Sequence, residues 1–585
     1  MKKYLLLLIC INFLSCVSGY SQNTAHDTIS INNIAARINN NGNLFWDGVA
    51  NSDYRVPKNG TAGTFFNTTL WVAGMDSVDT LHVAAELYNQ HGHDFWSGPI
   101  SNVYDSAYDA AWDKTWKVTK SEVDDFKTNW NQSGYIIPQS ILNWPAHGNT
   151  VLGQAYYLAP FYDRSGDGNY IPADGDYPLI KGDEAILFIN NDARNPHTES
   201  SGNKLGIDII GMGYAFACDE DSALSNTLFL NYKIINRSAF TYHDAYIGLF
   251  TDLDLGFAND DYVGCDVQRG SYYSYNGKEV DGTGQSQAYG YHPPAQSVTF
   301  LAGPYMTPDG IDNPSGYCDD GVNGYKFDNG IIDDERLGLN KFVSFFNSGM
   351  GAPAYATSPV FAADYYSFLQ GKWKDSTQML YGGNAHAGAG AYGPPCNFMF
   401  PGISDTCNWG TDGLATNATE PWTEVTSGNQ PDDRRGFGSS GPFTFYPGST
   451  QELDIALVFG RDYVDSNNYA GVIVMQERID SIRKYFVNDS TPCGGGFSAI
   501  AVLPKANPQI KIYPNPADNI INVELTAITG DAKYEMFDIV GRKINSGVLK
   551  NSVLNSLNIS NLPKGLYFLK VSDGKNKLSK KFVKQ

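Results

Sequence analysis

What this sequence lacks narrows it before anything positive is read from it. It has no HExxH pair, no GxSxG elbow and no GxxxxGK[ST] loop, so the local signatures of zinc peptidases, α/β-hydrolases and P-loop NTPases are missing. Cysteine is sparse, eight in 585 residues, and no CxxC or paired His-Cys spacing offers a tetrahedral zinc site. No stretch approaches the roughly 20 apolar residues that a membrane-spanning helix needs, which predicts a chain without a transmembrane segment. Charged residues make up 18% of the chain, too few for long amphipathic helices.

What is present points to strands. The 37 Tyr, 31 Phe and 60 Gly describe many short strands joined by tight turns. At 585 residues the chain exceeds a single core. The expected fold class is all-β and multi-domain, antiparallel β-sandwiches with long loops and few helices.

The first residues, MKKYLLLLICINFLSCVSGYSQ, carry Lys2 and Lys3, an apolar run from Tyr4 to Leu14, and small residues at Gly19 and Ser21. That order predicts a secretory signal peptide over 1–21. Six cysteines follow it, and export permits disulfides; Cys396 with Cys407, closing a short loop, is the expected pairing among fifteen formal connectivities.

Charge is unevenly spread. Residues from 509 onward carry net +6, whereas residues 22 to 508 carry about −29. An acidic body cannot neutralise phosphates, so nucleic acid is not an expected partner, and it suits a protein that collects divalent cations.

The basic tail follows a Gly- and Pro-punctuated stretch, 488–508, that reads as a linker. IKIYPNP, NIINVEL, AKYEMFDIVGRKI, GLYFLKVSDG and LSKKFVKQ then alternate apolar and polar residues between Gly, Pro and Asn, as a small Ig-like antiparallel sandwich would. Tyr513-Pro514-Asn515-Pro516, the run Phe537 to Ile544, the run Leu562 to Val571 and the lysine-rich end resemble the type A C-terminal sorting domain of the type IX secretion system of Bacteroidota. The resemblance covers 509–585. It implies a route: passage through the periplasm, handling by the type IX machinery, then a secreted or outer-cell-surface location. It implies nothing about what the body does.

The body divides into an expected N-terminal Trp-rich β domain, 22–160, which holds seven of ten tryptophans, and a β-sandwich body, 161–487, with acidic loops. The tryptophans form either a sugar-stacking platform or sandwich core. Thr119 and Glu122 frame a capping box that predicts a helix over Lys120 to Trp130. TLFLNYKIINRS, HDAYIGLFTDLDLG and FVSFFNS read as long strands and GPFTFYPGSTQELDIALVFG as a hairpin. Val472, Met475, Ile479, Ile482 and Phe486 recur at helical spacing.

One acidic loop has calcium spacing. In DRSGDGNYIPAD, Asp163, Ser165 and Asp167 stand at positions 1, 3 and 5, Gly168 permits a sharp turn, Asn169 offers its carbonyl, and Asp174 or Asp176 supplies the last oxygen. Hard cations need such convergent oxygens; Pro172 blocks the helix of a signalling EF-hand, so the loop is similar to those of dockerin or thrombospondin type 3 repeats. Two further clusters, one with Asp252, Asp254, Asn259, Asp260, Asp261 and Asp266, the other with Asp319, Asp320, Asn323, Asp328, Asp333 and Glu335, are either calcium loops or solvated acids. Calcium is thus the expected cofactor, in a structural role. The body also resembles a group of large type IX cargo proteins in which the Asp163–Pro178 and Asp260–Asp266 patterns recur, a likeness that implies no substrate.

Other motifs carry less. Gly388, Gly390 and Gly393 spell GxGxxG, but Pro394 and Pro395 forbid the helix that would receive a pyrophosphate. His91, His93 and Asp94 could begin a metal site, but a lone HxH with no third ligand in view is more often a surface turn. Asp-Ser/Thr-apolar triplets, as at Asp27 and Asp480, resemble Bacteroidota O-glycosylation acceptors. Two functions remain. The first is a calcium-stapled, non-catalytic surface or secreted protein serving adhesion or glycan binding. The alternative is a secreted polysaccharide hydrolase with a carboxylate pair, which obeys no spacing rule. No catalytic residue is assigned.

Overall fold

A computed structural model describes residues 25–49, 51–88, 92–315, 323–347, 351–498, 509–526, 532–550, 555–572 and 577–585. The expected signal peptide, residues 499–508 of the linker, His91, Asp319 and Asp320 lie outside them. The chain forms two compact units, one within 1–124, 138–159 and 180–498, the other within 125–137, 160–179 and 499–585. Among the described residues no helix is long and apolar enough to cross a membrane.

The first unit is built mainly on two antiparallel sheets. Its principal strands are β1 (Asn67–Met75), β2 (Leu81–Ala84), β3 (Glu184–Asn191), β4 (Ile207–Ala215), β5 (Thr227–Asn236), β6 (Tyr242–Asp252), β7 (Asp261–Asp266), β8 (Ser271–Asn276), β9 (Ala295–Ala302), β10 (Lys341–Phe345), β11 (Arg435–Phe445) and β12 (Thr450–Gly460). The larger sheet runs β7-β8-β9-β12-β5-β4-β3, extended at β3 by short strands Trp96–Ser97 and Trp116–Thr119. The smaller runs β10-β11-β6-β1-β2. The all-β expectation holds. Strands β1 and β2, from the Trp-rich stretch, share a sheet with β6, β10 and β11.

One expectation fails. GPFTFYPGSTQELDIALVFG is not a hairpin: β11 pairs with β6 and β10, whereas β12 pairs with β5 and β9. The turn between them carries the chain from one sheet to the other, as both inner faces must be buried.

Tyr272 links the two sheets. Its ring stacks 4.9 Å from Phe342, and its hydroxyl donates to the Leu249 carbonyl at 2.9 Å and accepts from Thr251 Oγ1 at 2.9 Å. Gly436 and Gly438 leave space for it: a Cβ at either position would come within 2.9 or 2.5 Å of the ring. Trp71, fully buried, stacks on Phe437 at 4.3 Å in the same core. Of the seven early tryptophans, Trp71, Trp112, Trp116 and Trp144 are core, which answers the platform question for those four.

The two expected helices are present. Helix α1 (Lys120–Asn129) opens on the capping box: Glu122 Oε2 accepts the Thr119 amide at 2.8 Å, and Thr119 Oγ1 accepts the Glu122 amide at 3.2 Å. Helix α2 (Ala470–Val487) buries Val472, Met475, Ile479, Ile482 and Phe486. Cys218 and Cys493 form a disulfide across 275 residues. The Cys396–Cys407 pairing is corrected: Cys396 is a buried free thiol, as is Cys265, while Cys407 is disulfide-bonded elsewhere. The short loop that made the pairing attractive instead carries Phe398 and Phe400 into the core.

The tail folds on its own apolar core. Gln509–Tyr513, Ile520–Thr526 and Asn555–Asn558 form one sheet; Lys543–Leu549, Ala532–Asp538, Gly565–Ser572 and Lys577–Lys584 form another. Alternate residues such as Ile521, Val523, Met536, Leu569 and Phe582 face inward.

Asp454 on β12 is a buried acid compensated by two cations. Burial pushes its carboxyl up, but Lys181 at 3.3 Å, Arg336 at 2.7 Å and the Asn231 amide outweigh that and hold it near 2. A lowered folded value gives stability that is present above the ordinary carboxylate range and lost as pH falls through about 2. Asp454→Asn is expected to cost about 3–5 kcal/mol at pH 7, and denaturant midpoints of mutant and parent should converge as pH falls from 4 to 2.

Candidate functional site

The register of β6 and β11 creates the site. Asp252 lies opposite Arg435, and the Leu253 amide continues the pairing to the Arg434 carbonyl at 3.2 Å. Asp254 and Asp433 lie two residues beyond that pair, just past the ends of the two strands. Side chains two apart share a face, so the strand ends place three carboxylates and one guanidinium together. Among the described residues, Asp252, Asp254 and Asp433 form a group whose ligand oxygens all lie within 4.8 Å of one another. Like charges opposite each other destabilise a ladder.

Compensation is partial. Arg435 Nη2 donates to Asp252 Oδ2 at 3.3 Å and to the Tyr88 hydroxyl at 2.8 Å, and its Nη1 reaches Ser358 Oγ at 3.1 Å. Asp252 is 1% exposed, yet its Oδ1 has no hydrogen-bond partner, nor has the buried Oδ1 of Asp433. Burial raises all three carboxyls, and neighbouring acids add to the rise at Asp254 and Asp433: Asp254 goes well above the usual range and Asp433 to about 6, while Arg435, joined at Asp252 by the Tyr88 hydroxyl, only partly opposes it. Such a group is relieved chemically in one of two ways, by protons or by a cation.

Aromatic rings adjoin it. The Phe66 amide donates to the Asp252 carbonyl at 2.9 Å. Tyr88 packs 4.8 Å from Phe66 and 5.8 Å from Trp46, and all three rings are half-buried. Asp254 and Asp433 are half-buried too.

The remaining predicted ligands are placed differently. In the Asp163 loop, Asp163 Oδ1 accepts the Gly166 amide at 2.6 Å and Oδ2 the Gly168 amide at 2.7 Å, while Asp176 accepts Arg164 and Ile171 amides at 2.8 and 2.7 Å. Gly168 takes φ +81°, the sharp turn its spacing required. Ser165 bonds Asp163, Asp167 accepts the Asn169 amide, and Asp174 ends a short 3-10 turn. Burial, with Asp163 and Asp167 nearby, raises Asp176. These oxygens serve their own loop's amides.

Asp260 is buried, with Oδ2 on the Gly282 amide and Oδ1 without a partner. Asp266 is taken by Arg269 and Gln476. Asp328 is exposed, and Asp333 accepts the Asp309 and Gly310 amides. Asp94 is buried and accepts amides from Ala85 and Glu199, while His93 lies 3.7 Å from Glu86. Asp433 was the residue missed, 179 positions beyond Asp254, with no local spacing to mark it. The DDRR run just before a strand is its only sequence trace.

Arg435 holds Asp252 in place electrostatically. Arg435→Met is expected to lower stability by about 3–5 kcal/mol because it leaves a buried carboxylate unpaired, and adding Asp252→Asn should recover part of that loss in a denaturant double-mutant cycle.

Comparison with known proteins bears on the tail. Residues 511–585 match the family model of a secretion system C-terminal sorting domain. No curated protein matches the chain. Among solved structures, a polysaccharide lyase is similar at 8% identity and a TM-score of 0.18, covering 68% of this chain and 35% of the lyase. The chain thus spans about a third of that enzyme's length, and a likeness this slight carries no argument. The sorting domain makes this protein a cargo of the type IX secretion system, sent to the cell surface or the extracellular space.

Proposed function

We propose that the exported body is a non-catalytic, calcium-stapled module that serves adhesion or glycan binding outside the cell. The observation that supports this most is the Asp252–Asp254–Asp433 group, with oxygens within 4.8 Å and buried oxygens left without partners. Calcium takes six to eight oxygen ligands at roughly 2.3–2.6 Å and tolerates irregular geometry. Extracellular modules bind it weakly and meet it at millimolar levels. One cation there would neutralise two of the three acids and tie the ends of β6 and β11 together.

A second reading, a polysaccharide hydrolase, is favoured by one observation. Burial and neighbouring acids raise Asp254 well above the usual range and Asp433 to about 6, in one close group, and closely spaced carboxyls are what glycoside hydrolysis uses. The two readings need opposite states of the same group, a cation in one and a proton in the other.

The test uses the full chain against a polysaccharide panel, in calcium and in chelator, reading retained protein and released sugar. Retention without release, lost in chelator, is the expected result. Release of oligosaccharide, abolished by Asp254→Asn and indifferent to chelator, would overturn it in favour of the hydrolase.

A further inference from the structure

We infer that the carboxylate centre is itself the glycan contact: its cation offers open coordination positions to a vicinal diol of a neutral pyranose, whose apolar face rests on Trp46, Phe66 and Tyr88. This rests on the cation reading of the centre and adds to it the ligand class and the recognising surface.

Three observations converge. The centre is closed on one side and open on another, since Asp252 is 1% exposed while Asp254 and Asp433 are half-buried. The buried, unpartnered Oδ1 of Asp252 belongs to a group too small to saturate calcium: three carboxylates leave several of six to eight positions to other oxygens. Paired hydroxyls of a sugar are hard oxygen ligands of the kind that replace water there.

The aromatic rings are mechanically joined to that centre. The Phe66 amide holds the Asp252 carbonyl, and one Arg435 nitrogen bridges Asp252 Oδ2 and the Tyr88 hydroxyl. Tyr88 contacts both Trp46 and Phe66, yet each of the three rings keeps part of its surface in solvent. Half-exposed rings beside a few convergent polar groups are the usual composition of a small-molecule site, and aromatic faces stack on the C–H face of a sugar ring.

Charge selects among sugars. Asp432 adjoins Asp433 and raises it further, and Asp261 in turn feels Asp254. A body carrying about −29 repels uronates and sulfated chains. Neutral hexose polymers are therefore the class chosen.

The experiment measures retention of the full chain on immobilised mannan and laminarin, with polygalacturonate as the acidic probe, in millimolar calcium, and calcium binding by calorimetry on the same samples. Trp46→Ala should weaken retention on a neutral probe about tenfold with calcium affinity unchanged, and Trp46→Tyr, which keeps a ring, should restore most of it. Asp433→Asn should abolish both retention and the centre's calcium. Undiminished retention by Trp46→Ala, or binding to polygalacturonate alone, overturns the inference while leaving the cation reading standing. Calorimetry in which Asp433→Asn matches the parent overturns both. Should Trp46→Ala unfold, as read by circular dichroism, Trp46→Tyr against Trp46→Leu decides: equal retention by the two contradicts the inference.

Discussion

The body of this protein is organised around an unbalanced charge at the ends of two strands. The pairing that sets Asp252 against Arg435 ends both strands there, and the chain just beyond those ends brings Asp254 and Asp433 into the same group as Asp252. Arg435 serves Asp252, Tyr88 and Ser358 at once, and a single guanidinium does not neutralise three carboxylates, one buried and two half-buried. That imbalance separates this group from the many other acids in the chain.

Several of those acids accept amides of nearby loops. Asp163 and Asp176 close one loop on its own amides, Asp281 holds the Phe257 amide, Asp405 holds Trp409 and Gly410, and Asp312 holds Asn329 and Gly330. Charged acceptors on backbone amides are strong bonds, and long loops with few apolar contacts depend on them. These five acids close loops on backbone amides. Tyr272 and the Cys218–Cys493 bond hold the framework that these loops decorate.

Local signals were legible and long-range ones were not. The capping box at Thr119 and Glu122 and the stripe from Val472 to Phe486 need neighbours only a turn away, and both helices stand where the spacing put them. The sorting domain was legible for the same reason, as ordered motifs within one segment. The turn after Phe445 looks locally like a hairpin, and only the burial of both inner faces sends β11 and β12 into different sheets. Spacing favoured Cys396 with Cys407, yet Cys396 is buried as a free thiol. Asp252 and Asp254 were visible as an acidic pair, but their partner Asp433 is delivered by strand register, which no window of sequence contains.

The most direct measurement is a crystal of the full chain or its body soaked in calcium or a lanthanide and read by anomalous scattering. The account predicts a peak among Asp252, Asp254 and Asp433, with carboxylate oxygens roughly 2.3–2.6 Å from it. No peak at that position, with Asp254 instead hydrogen-bonding to Asp433 as a protonated acid, would contradict it.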